Sequence, residues 1–543
     1  MKVFHKNSLL FVATLTTFAA NAQISDESVD IIKDFEVQLL ESFKLNVSAS
    51  LPPLDTTTKQ QQYLVPAHPL NVSYNAPTLK PIGMKTLQPP DPFRGFGKIG
   101  AGIPNQFWGE AGYYFGSPDN FDGTIWARHH SGNNDKQQEN QRFQNNDVKG
   151  NATFYLDNNL AIGANAGVSF DRLHYYGYND DEISFEEAAV RQKFNTFDLG
   201  VDLFNTAPNA QDLSFWVKPR FYNLKDNFSN VENAFHFDAG ATKWFSEKHP
   251  LRVNLRGEMN NYKDTLTQKL NNLAIQPSFT YHADIFKVKA GVNLVSSTDG
   301  FHVFPDVEGN LRIWGDGVQL FVGASGDLRQ NTMRTLTEYN PWLSIRGSTV
   351  RNTRFTDFYG GIKGNLRFFE YLIRGAYSFA DDLALIQTRF RTANGVPVNT
   401  TFVTEYDNAS IYSIRFSGKL VPFQNFTVTG SFSQNIYDMD TAEKAWGLPS
   451  TEGNFGLVYT LLEDKLALKS NLYVADDIPF LDENGNSAAT NSLFDLNFGA
   501  HFYFLENIGA FVEFNNVLNN KRERWYNYPM FGTNFIAGIQ ARF

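Results

Sequence analysis

Cysteine is absent from the 543-residue chain, which excludes disulfide bonds, thiolate metal sites and cysteine nucleophiles. Long apolar runs are also missing. After the first 22 residues, no stretch approaches the roughly 18 consecutive apolar residues of a helical membrane span. Basic residues are fewer than acidic ones, which gives a formal net charge of -10. The overall charge therefore does not favour a nucleic-acid partner.

Aromatic residues, by contrast, make up 15% of the chain, and phenylalanine alone accounts for 50 residues. The mean hydropathy is nevertheless negative, at -0.35. A helical membrane protein would be less polar, and a soluble enzyme rarely carries so much phenylalanine. A membrane β-barrel reconciles the two values, because one face of each strand meets lipid and the other meets water.

The first 22 residues have the pattern of a secretory signal peptide. Lys2 and Lys6 give a positive start, a largely apolar run covers 9–20, and residues 20–22 match the small–x–small cleavage pattern. The run is shorter than the roughly 20 helical residues that span a bilayer, which disfavours the alternative of a membrane anchor. We therefore predict an exported chain that begins at Gln23.

Residues 23–97 differ in composition from the rest and hold 9 of the 22 prolines. Proline is disfavoured in helix interiors and central strands, so we predict an extended periplasmic segment. Two roles for this segment are open. It is either a flexible tail, or a segment that docks a periplasmic protein or enters the barrel lumen.

From about Lys98 the sequence alternates between apolar and polar residues. Residues 251–256, for example, read Leu-Arg-Val-Asn-Leu-Arg. Successive side chains of a strand point to opposite faces, so each such segment has one apolar face. A soluble β-sandwich could alternate in the same way. However, about 22 segments lie between Lys98 and Phe543, an even number within the range of single-chain outer-membrane barrels.

The connections between these segments favour the membrane barrel. Short and long connections take turns along the chain, as periplasmic turns and extracellular loops do. The short set comprises 117–120, 157–159, 282–284, 315–317 and 462–465. The long, polar set comprises roughly 131–146, 174–193, 329–353, 437–452, 477–491 and 517–529.

The last strand should pair with the first, because unpaired backbone groups in lipid are costly. The motifs at 511–519, 526–529 and 532–535, followed by the terminal Phe543, resemble the two closing strands of TonB-dependent outer-membrane receptors. The match covers about the last 35 residues. It implies a large barrel in a Gram-negative outer membrane with a receptor or transport function.

The sequence also departs from that family. TonB-dependent receptors carry a plug domain of well over a hundred residues before the barrel, whereas only residues 23–97 precede this one. Residues 28–32 are the only candidate for the family's energy-coupling segment. The chain is therefore most similar to a relative without a recognisable plug.

No catalytic or metal-binding constellation is convincing. Residues 323–326 have the wrong spacing for a nucleophile elbow, and no ligand pattern follows His129 and His130. The acidic residues at 180–187 are typical of a solvated loop, although a divalent cation remains an alternative. Residues 482–486 only partly match a calcium loop. We predict no enzyme activity, no cofactor and no metal.

The alternation assigns charged side chains to the lumen, because an arginine or lysine facing lipid costs about 2–4 kcal/mol. The predicted lumen-facing residues are Asp198, Asp202, Arg252, Arg256, Glu258, Lys465, Lys469, Asp495 and His501. The predicted lipid-facing residues are Leu255, Phe498, Phe535 and Phe543.

Aromatic residues also cluster in the long connections. They are Tyr175, Tyr176, Trp342, Trp446, Trp525 and Tyr526. Three roles are open for them: stacking on a sugar, docking a protein, or forming an interfacial belt.

The sequence thus predicts an all-β fold, a large antiparallel transmembrane β-barrel of about 22 strands. The leading hypothesis is an outer-membrane receptor or transport protein that contacts outer-membrane lipid and, during biogenesis, the assembly machinery. The alternative is a non-catalytic subunit of an assembly or secretion complex that docks a periplasmic partner through residues 23–97. Its basis is that a barrel of this size has a wide lumen that something must fill.

Overall fold

The computed structural model describes residues 93–117, 120–179, 181–209, 211–346, 348–393, 396–520 and 523–543. The predicted signal peptide and nearly all of the extended segment lie outside these residues. In the described part of the chain, no helix has the length and hydropathy needed to cross a bilayer.

Twenty-two strands form a single antiparallel sheet. The first eleven are β1 (Gly95–Ile103), β2 (Gln106–Ser117), β3 (Phe121–Asn133), β4 (Arg142–Leu156), β5 (Leu160–His174), β6 (Arg191–Asn205), β7 (Leu213–Asp226), β8 (Val231–Phe245), β9 (His249–Lys263), β10 (Thr267–His282) and β11 (Phe286–Ser297). The others are β12 (Gly300–Trp314), β13 (Val318–Asn331), β14 (Arg351–Leu366), β15 (Phe369–Ala393), β16 (Val396–Phe423), β17 (Phe426–Met439), β18 (Thr451–Leu461), β19 (Leu466–Asp476), β22 (Leu493–Tyr503), β23 (Ile508–Asn515) and β26 (Asn534–Arg542).

The remaining elements lie in the connections. They are the short strands β20 (Pro479–Leu481), β21 (Ser487–Ala489), β24 (Glu523–Trp525) and β25 (Tyr528–Pro529), and the helices α1 (Glu187–Val190) and α2 (Met333–Tyr339).

The sheet closes on itself where β1 pairs with β26, from Phe96 opposite Arg542 to Ile103 opposite Phe535. The carbonyl oxygen of Phe543 accepts hydrogen bonds from the backbone N–H groups of Arg94 and Gly95, at 2.8 and 2.7 Å. Closure leaves the sheet without an open edge at this seam, as hydrocarbon requires. The prediction of an antiparallel barrel of about 22 strands is confirmed.

The parity of the connections is confirmed as well. Because consecutive strands are antiparallel, all five predicted short connections lie at one end of the barrel, which we call the turn end, together with Phe93 and Phe543. The six predicted long connections lie at the opposite end, the loop end. Among the connections that the structure describes, four more at the loop end are short, namely 104–105, 227–230, 264–266 and 298–299.

The long connections are folded against one another at the loop end. Buried apolar side chains from three of them form one cluster, the loop core, together with the upper parts of several strands. Its members from the connections and from the long β15–β16 hairpin include Tyr175, Tyr176, Tyr178, Met333, Leu336, Leu343, Ile345, Ile386, Phe402, Trp525 and Tyr528. Ala445 and Trp446, and likewise Ile478, belong to two separate clusters.

Tyr528 occupies the centre of the loop core and is only 1% exposed. Its ring lies 4.5 Å from that of Trp342 and 4.9 Å from that of Tyr176, centre to centre. Its hydroxyl donates a 2.7 Å hydrogen bond to the carbonyl oxygen of Thr400, and burial raises its pKa well above the usual value. Gly177 must stay small, because a Cβ there would come within 2.5 Å of the Tyr528 ring.

Leu255→Arg tests the orientation of the barrel wall. Leu255 is 37% exposed although it is a large apolar residue, as expected of a side chain that faces lipid. We expect Leu255→Arg to destabilise the inserted barrel by about 2–4 kcal/mol and to lower its amount in the membrane, measured as heat-modifiable mobility on gels.

The neighbouring substitution Asn254→Arg is the matched control. Asn254 occupies the next position on β9, on the opposite face of the strand, so an arginine there should be tolerated. Equal loss of assembled barrel in both variants would contradict this orientation.

Tyr528→Ala tests the loop core. Removing a fully buried aromatic ring typically costs about 3–5 kcal/mol, so the loops should become sensitive to protease while the barrel stays heat-modifiable. Tyr528→Phe should cost only about 1 kcal/mol, for one lost hydrogen bond. Phe228→Ala, at an exposed ring in the connection 227–230, is the control and should leave the loops resistant.

Candidate functional site

Strand β13 leaves the barrel wall before it reaches the loop end. Its pairing with β12 ends where Ser325 lies opposite Asp306. Beyond that point, Gly326 to Asn331 pair with β14 alone. We call residues 326–352 the inner segment, since they fold back over the inner face of the preceding strands; residue 347 is outside the described part.

Apolar packing holds the start of the inner segment against the wall. Leu328 is buried in a cluster with Ala274, Val295 and Phe304, which belong to β10, β11 and β12. The approach is close enough that a Cβ on Gly326 would come within 2.5 Å of the Phe304 ring. Glycine therefore allows β13 to lie directly on the wall.

Amide side chains continue this attachment. The Asn293 side chain donates a 3.0 Å hydrogen bond to the carbonyl oxygen of Gly326, and that of Gln330 donates one of 3.0 Å to the carbonyl oxygen of Leu270. Asn272 and Asn352 exchange hydrogen bonds of 2.9 and 3.0 Å. These contacts satisfy buried polar groups on both surfaces and fix the inner segment in one position.

Helix α2 is anchored by a buried carboxylate of β8. Thr332 and Thr335 form a capping box at its start. Glu232, which is 0% exposed, accepts hydrogen bonds from the backbone N–H groups of Met333 at 2.6 Å and Arg334 at 3.3 Å, and from the Tyr222 hydroxyl at 2.7 Å. A buried carboxylate is costly unless it is hydrogen-bonded in this way, so Glu232 and the helix depend on each other.

Two ion pairs also join the inner segment to the wall. Arg334 of α2 donates to Asp198 of β6 at 2.6 Å, and Arg256 of β9 donates to Asp327 of β13 at 2.7 Å. Burial opposes the charge of Arg334, but the hydrogen bonds and negative charges of Asp198 and Glu338 together outweigh burial and raise the pKa of the guanidinium.

A cavity of about 640 Å³ lies between the inner segment and strands β5–β9. Its volume is within the range of roughly 300–1,000 Å³ that is common for sites binding small molecules. The residues that line it are Asn165, Asp198, Leu199, Arg220, Phe221, Tyr222, His236, Glu258, Asp327, Leu328, Arg329, Gln330, Thr332, Arg334, Thr335, Glu338 and Phe355. This cavity is the candidate functional site.

Three of the residues assigned to the lumen from the sequence, Asp198, Arg256 and Glu258, lie at or beside the cavity. Glu258 lies 3.8 Å from the guanidinium of Arg256 and accepts a 3.4 Å hydrogen bond from Asn272. Asp202 accepts a 3.2 Å hydrogen bond from Asn165, a cavity residue of β5.

The other residues assigned to the lumen lie elsewhere. Arg252 is on β9 opposite Ser278, Lys469 is on β19 opposite Gly499, and Asp495 is on β22 opposite Tyr473. His501 is buried and contacts Gln540 at 3.0 Å and Glu513 at 3.3 Å. Lys465 differs from the prediction. It is an exposed residue of the turn before β19 and therefore does not lie on the inner face of a strand.

The residues assigned to lipid are apolar side chains with exposed surface. Leu255, Phe535 and Phe543 are 37%, 36% and 63% exposed. Phe498 is half-buried and lies opposite Phe514.

The aromatic residues of the long connections have a role that none of the three predicted alternatives includes. Tyr175, Tyr176, Trp446 and Trp525 are each less than 9% exposed. A ring with so little free surface cannot stack on a sugar or dock a protein. Trp342 packs against the loop core, and Tyr526 stacks on Phe480 with ring centres 4.2 Å apart. These rings mainly build the interior of the folded loops.

The weaker motifs also have local structural partners. His129 contacts the Asn146 side chain at 2.7 Å, and the His130 ring lies 4.9 Å from that of Trp108. Hydrogen bonds from the backbone and side chain of Asn486 hold the pKa of Asp482 below its usual range, as part of a tight turn. Among the residues described, no group of three or more His, Asp or Glu side chains is placed to hold a metal ion.

Sequence reasoning missed the two residues that attach helix α2. Glu232 is the second residue of β8 and has no sequence feature that sets it apart from other polar strand residues. Arg334 lies in what was predicted to be a polar loop. A helix-start signal was present there, because Thr332 precedes the apolar pair Met333 and Leu336.

Comparisons with known proteins give similarity in structure alone. No family model matches the chain, and no curated protein matches it in sequence. The ferripyoverdine receptor of the outer membrane of Pseudomonas aeruginosa aligns with a TM-score of 0.63 at 11% identity, over 84% of this chain and 72% of that one. The FrpB iron transporter from Neisseria meningitidis aligns with a TM-score of 0.64 at 10% identity, over 83% and 81%.

A third similar structure is the ferric-catecholate import receptor Fiu from E. coli K12, with a TM-score of 0.61 at 9% identity over 84% of this chain and 82% of that one. At such low identity the comparisons establish the fold. The predicted resemblance to TonB-dependent receptors is therefore confirmed for the barrel: this chain has the 22-stranded fold of outer-membrane receptors and importers.

Proposed function

We propose that this protein is an outer-membrane receptor or transport barrel, similar to TonB-dependent receptors, that takes up a small solute through its lumen. The observation that carries the proposal is the charged cavity between the wall and the inner segment. A ligand there would touch both a fixed surface and a segment attached by a few polar contacts. The proposal includes no catalysis, in keeping with neighbours that are receptors and transporters.

The alternative role, as an assembly subunit that needs a partner to fill its lumen, loses part of its physical basis. The chain supplies the inner segment and the loop core from its own residues. The ligands named for the structural neighbours, ferripyoverdine among them, are properties of those proteins.

Arg334→Gln tests the proposal. This substitution removes the ion pair between α2 and Asp198 of the wall, as well as the pair with Glu338 within the helix, so the inner segment should leave the wall more often. In planar bilayers we expect the unmodified barrel to stay closed and Arg334→Gln to show frequent openings.

Arg312→Gln is the matched control, because Arg312 makes an exposed ion pair with Asp316 at the turn end. It should behave like the unmodified protein. A steady large conductance of the unmodified barrel, or an Arg334→Gln variant that never opens, would count against a gated receptor.

We also propose that residues 1–22 are removed on export and that the chain from Gln23 to the start of β1 at Gly95, three residues short of the predicted boundary, forms an extended periplasmic segment with a partner or a place in the lumen. An extended chain that cannot bury a core of its own can be ordered by another surface. Deletion of 24–90 should leave a folded, heat-modifiable barrel. It should also abolish co-purification of a periplasmic partner or raise sensitivity to large antibiotics. Unchanged partners, barrier and activity would show that the segment is a passive leader.

A further inference from the structure

The charges of the cavity are mixed, and some of them are already neutralised. Arg334 is paired with Asp198, and Asp327 with Arg256, so these four groups serve to attach the inner segment. The remaining charges have incomplete partners. A ligand of the cavity would have to carry charges that complement these groups.

Two guanidinium groups have donors to spare. Within the described parts of the chain, the side chain of Arg329 has no hydrogen bond or ion pair, although it lines the cavity. Arg220 has a single distant partner, Asp202, at 3.9 Å. The planar guanidinium fork matches a carboxylate in geometry and binds it with two parallel hydrogen bonds.

Two carboxylates of the cavity have acceptor capacity to spare. Glu338 contacts Arg334 at 3.0 Å, but its side chain is still 65% exposed. Glu258 lies 3.8 Å from Arg256, beyond hydrogen-bond distance. An ammonium group, with three donors on one atom, is suited to such acceptors.

We propose that the cavity binds a small zwitterion that carries both a carboxylate and an ammonium group, of the class of short peptides with free termini. A ligand with one sign of charge would leave the opposite charges of the cavity desolvated and unpaired, which is unfavourable. Leu328 and Phe355 add apolar surface for a side chain. This inference rests on the proposed function, since it names the ligand of the same cavity.

The experiment compares tri-alanine with its N-acetylated and C-amidated forms, by calorimetry on the full-length protein in lipid nanodiscs. Each blocked form loses one charged contact, and a charge-assisted hydrogen bond is worth about tenfold in affinity. We therefore expect each blocked form to bind at least about tenfold more weakly. Equal binding of all three forms would overturn the proposal.

Arg329→Gln identifies the carboxylate contact. Because the Arg329 side chain has no hydrogen bond or ion pair with the described residues, its substitution should leave folding intact, which heat-modifiable mobility would verify. Affinity for tri-alanine should fall about tenfold, whereas affinity for the C-amidated form should not change. Arg312→Gln is the control and should alter neither. An equal loss for both peptides in Arg329→Gln would refute the assigned contact.

The two proposals can fail separately. If no peptide binds but the Arg334→Gln barrel opens in bilayers, the ligand class is wrong and the gated receptor stands. If no peptide binds and the barrel never opens, both are wrong.

Discussion

The structure depends on one constraint: in hydrocarbon there is no water to bond with backbone N–H and C=O groups, so each must find a partner within the protein. Strands β1 and β26 meet for this reason, although their sequences are more than four hundred residues apart. The low polarity of hydrocarbon also favours apolar side chains, such as that of Leu255, on the face toward lipid and polar side chains on the inner face. Closure, however, creates a second problem, since a barrel of 22 strands encloses a lumen too wide for wall side chains to fill.

The inner segment lies inside the barrel and occupies part of this lumen. The pairing of β13 with β12 ends at Ser325, and beyond that residue β13 lies against the inner face of the wall. Polar side chains attach the inner segment there: Asn293 donates to the carbonyl oxygen of Gly326, Gln330 donates to that of Leu270, and Glu232 accepts from the start of helix α2. The loop core adds apolar burial above the same region. The proposed gated uptake rests on these elements: the barrel wall, a segment attached to it by apolar packing and polar contacts, and a charged cavity between them.

Sequence alone predicted what the membrane imposes. The outward position of Leu255 follows from a period of two, and the pairing of the last strand with the first follows from the cost of an open edge. Sequence could not predict the buried aromatic core, because Tyr528 and Tyr176 meet across 352 positions and a tyrosine has the same appearance in a buried loop as in an exposed one. The inner segment was hidden for a related reason. In the sequence, Asn272 and Asn352 cannot be told apart from other polar residues that face the lumen. Only the structure shows the hydrogen bond between them.

The most direct test of this account is a cross-link between the inner segment and the wall. The chain has no cysteine, so the double substitution Asn272→Cys and Asn352→Cys introduces the only two thiols. With a short thiol-reactive cross-linker on intact cells, the account predicts near-complete intramolecular cross-linking, seen as a mobility shift on gels. The pair Asn272→Cys and Ser470→Cys, which joins β10 to β19, should give none. Absence of the first cross-link in an assembled barrel would contradict the claim that the inner segment lies against the inner face of the wall.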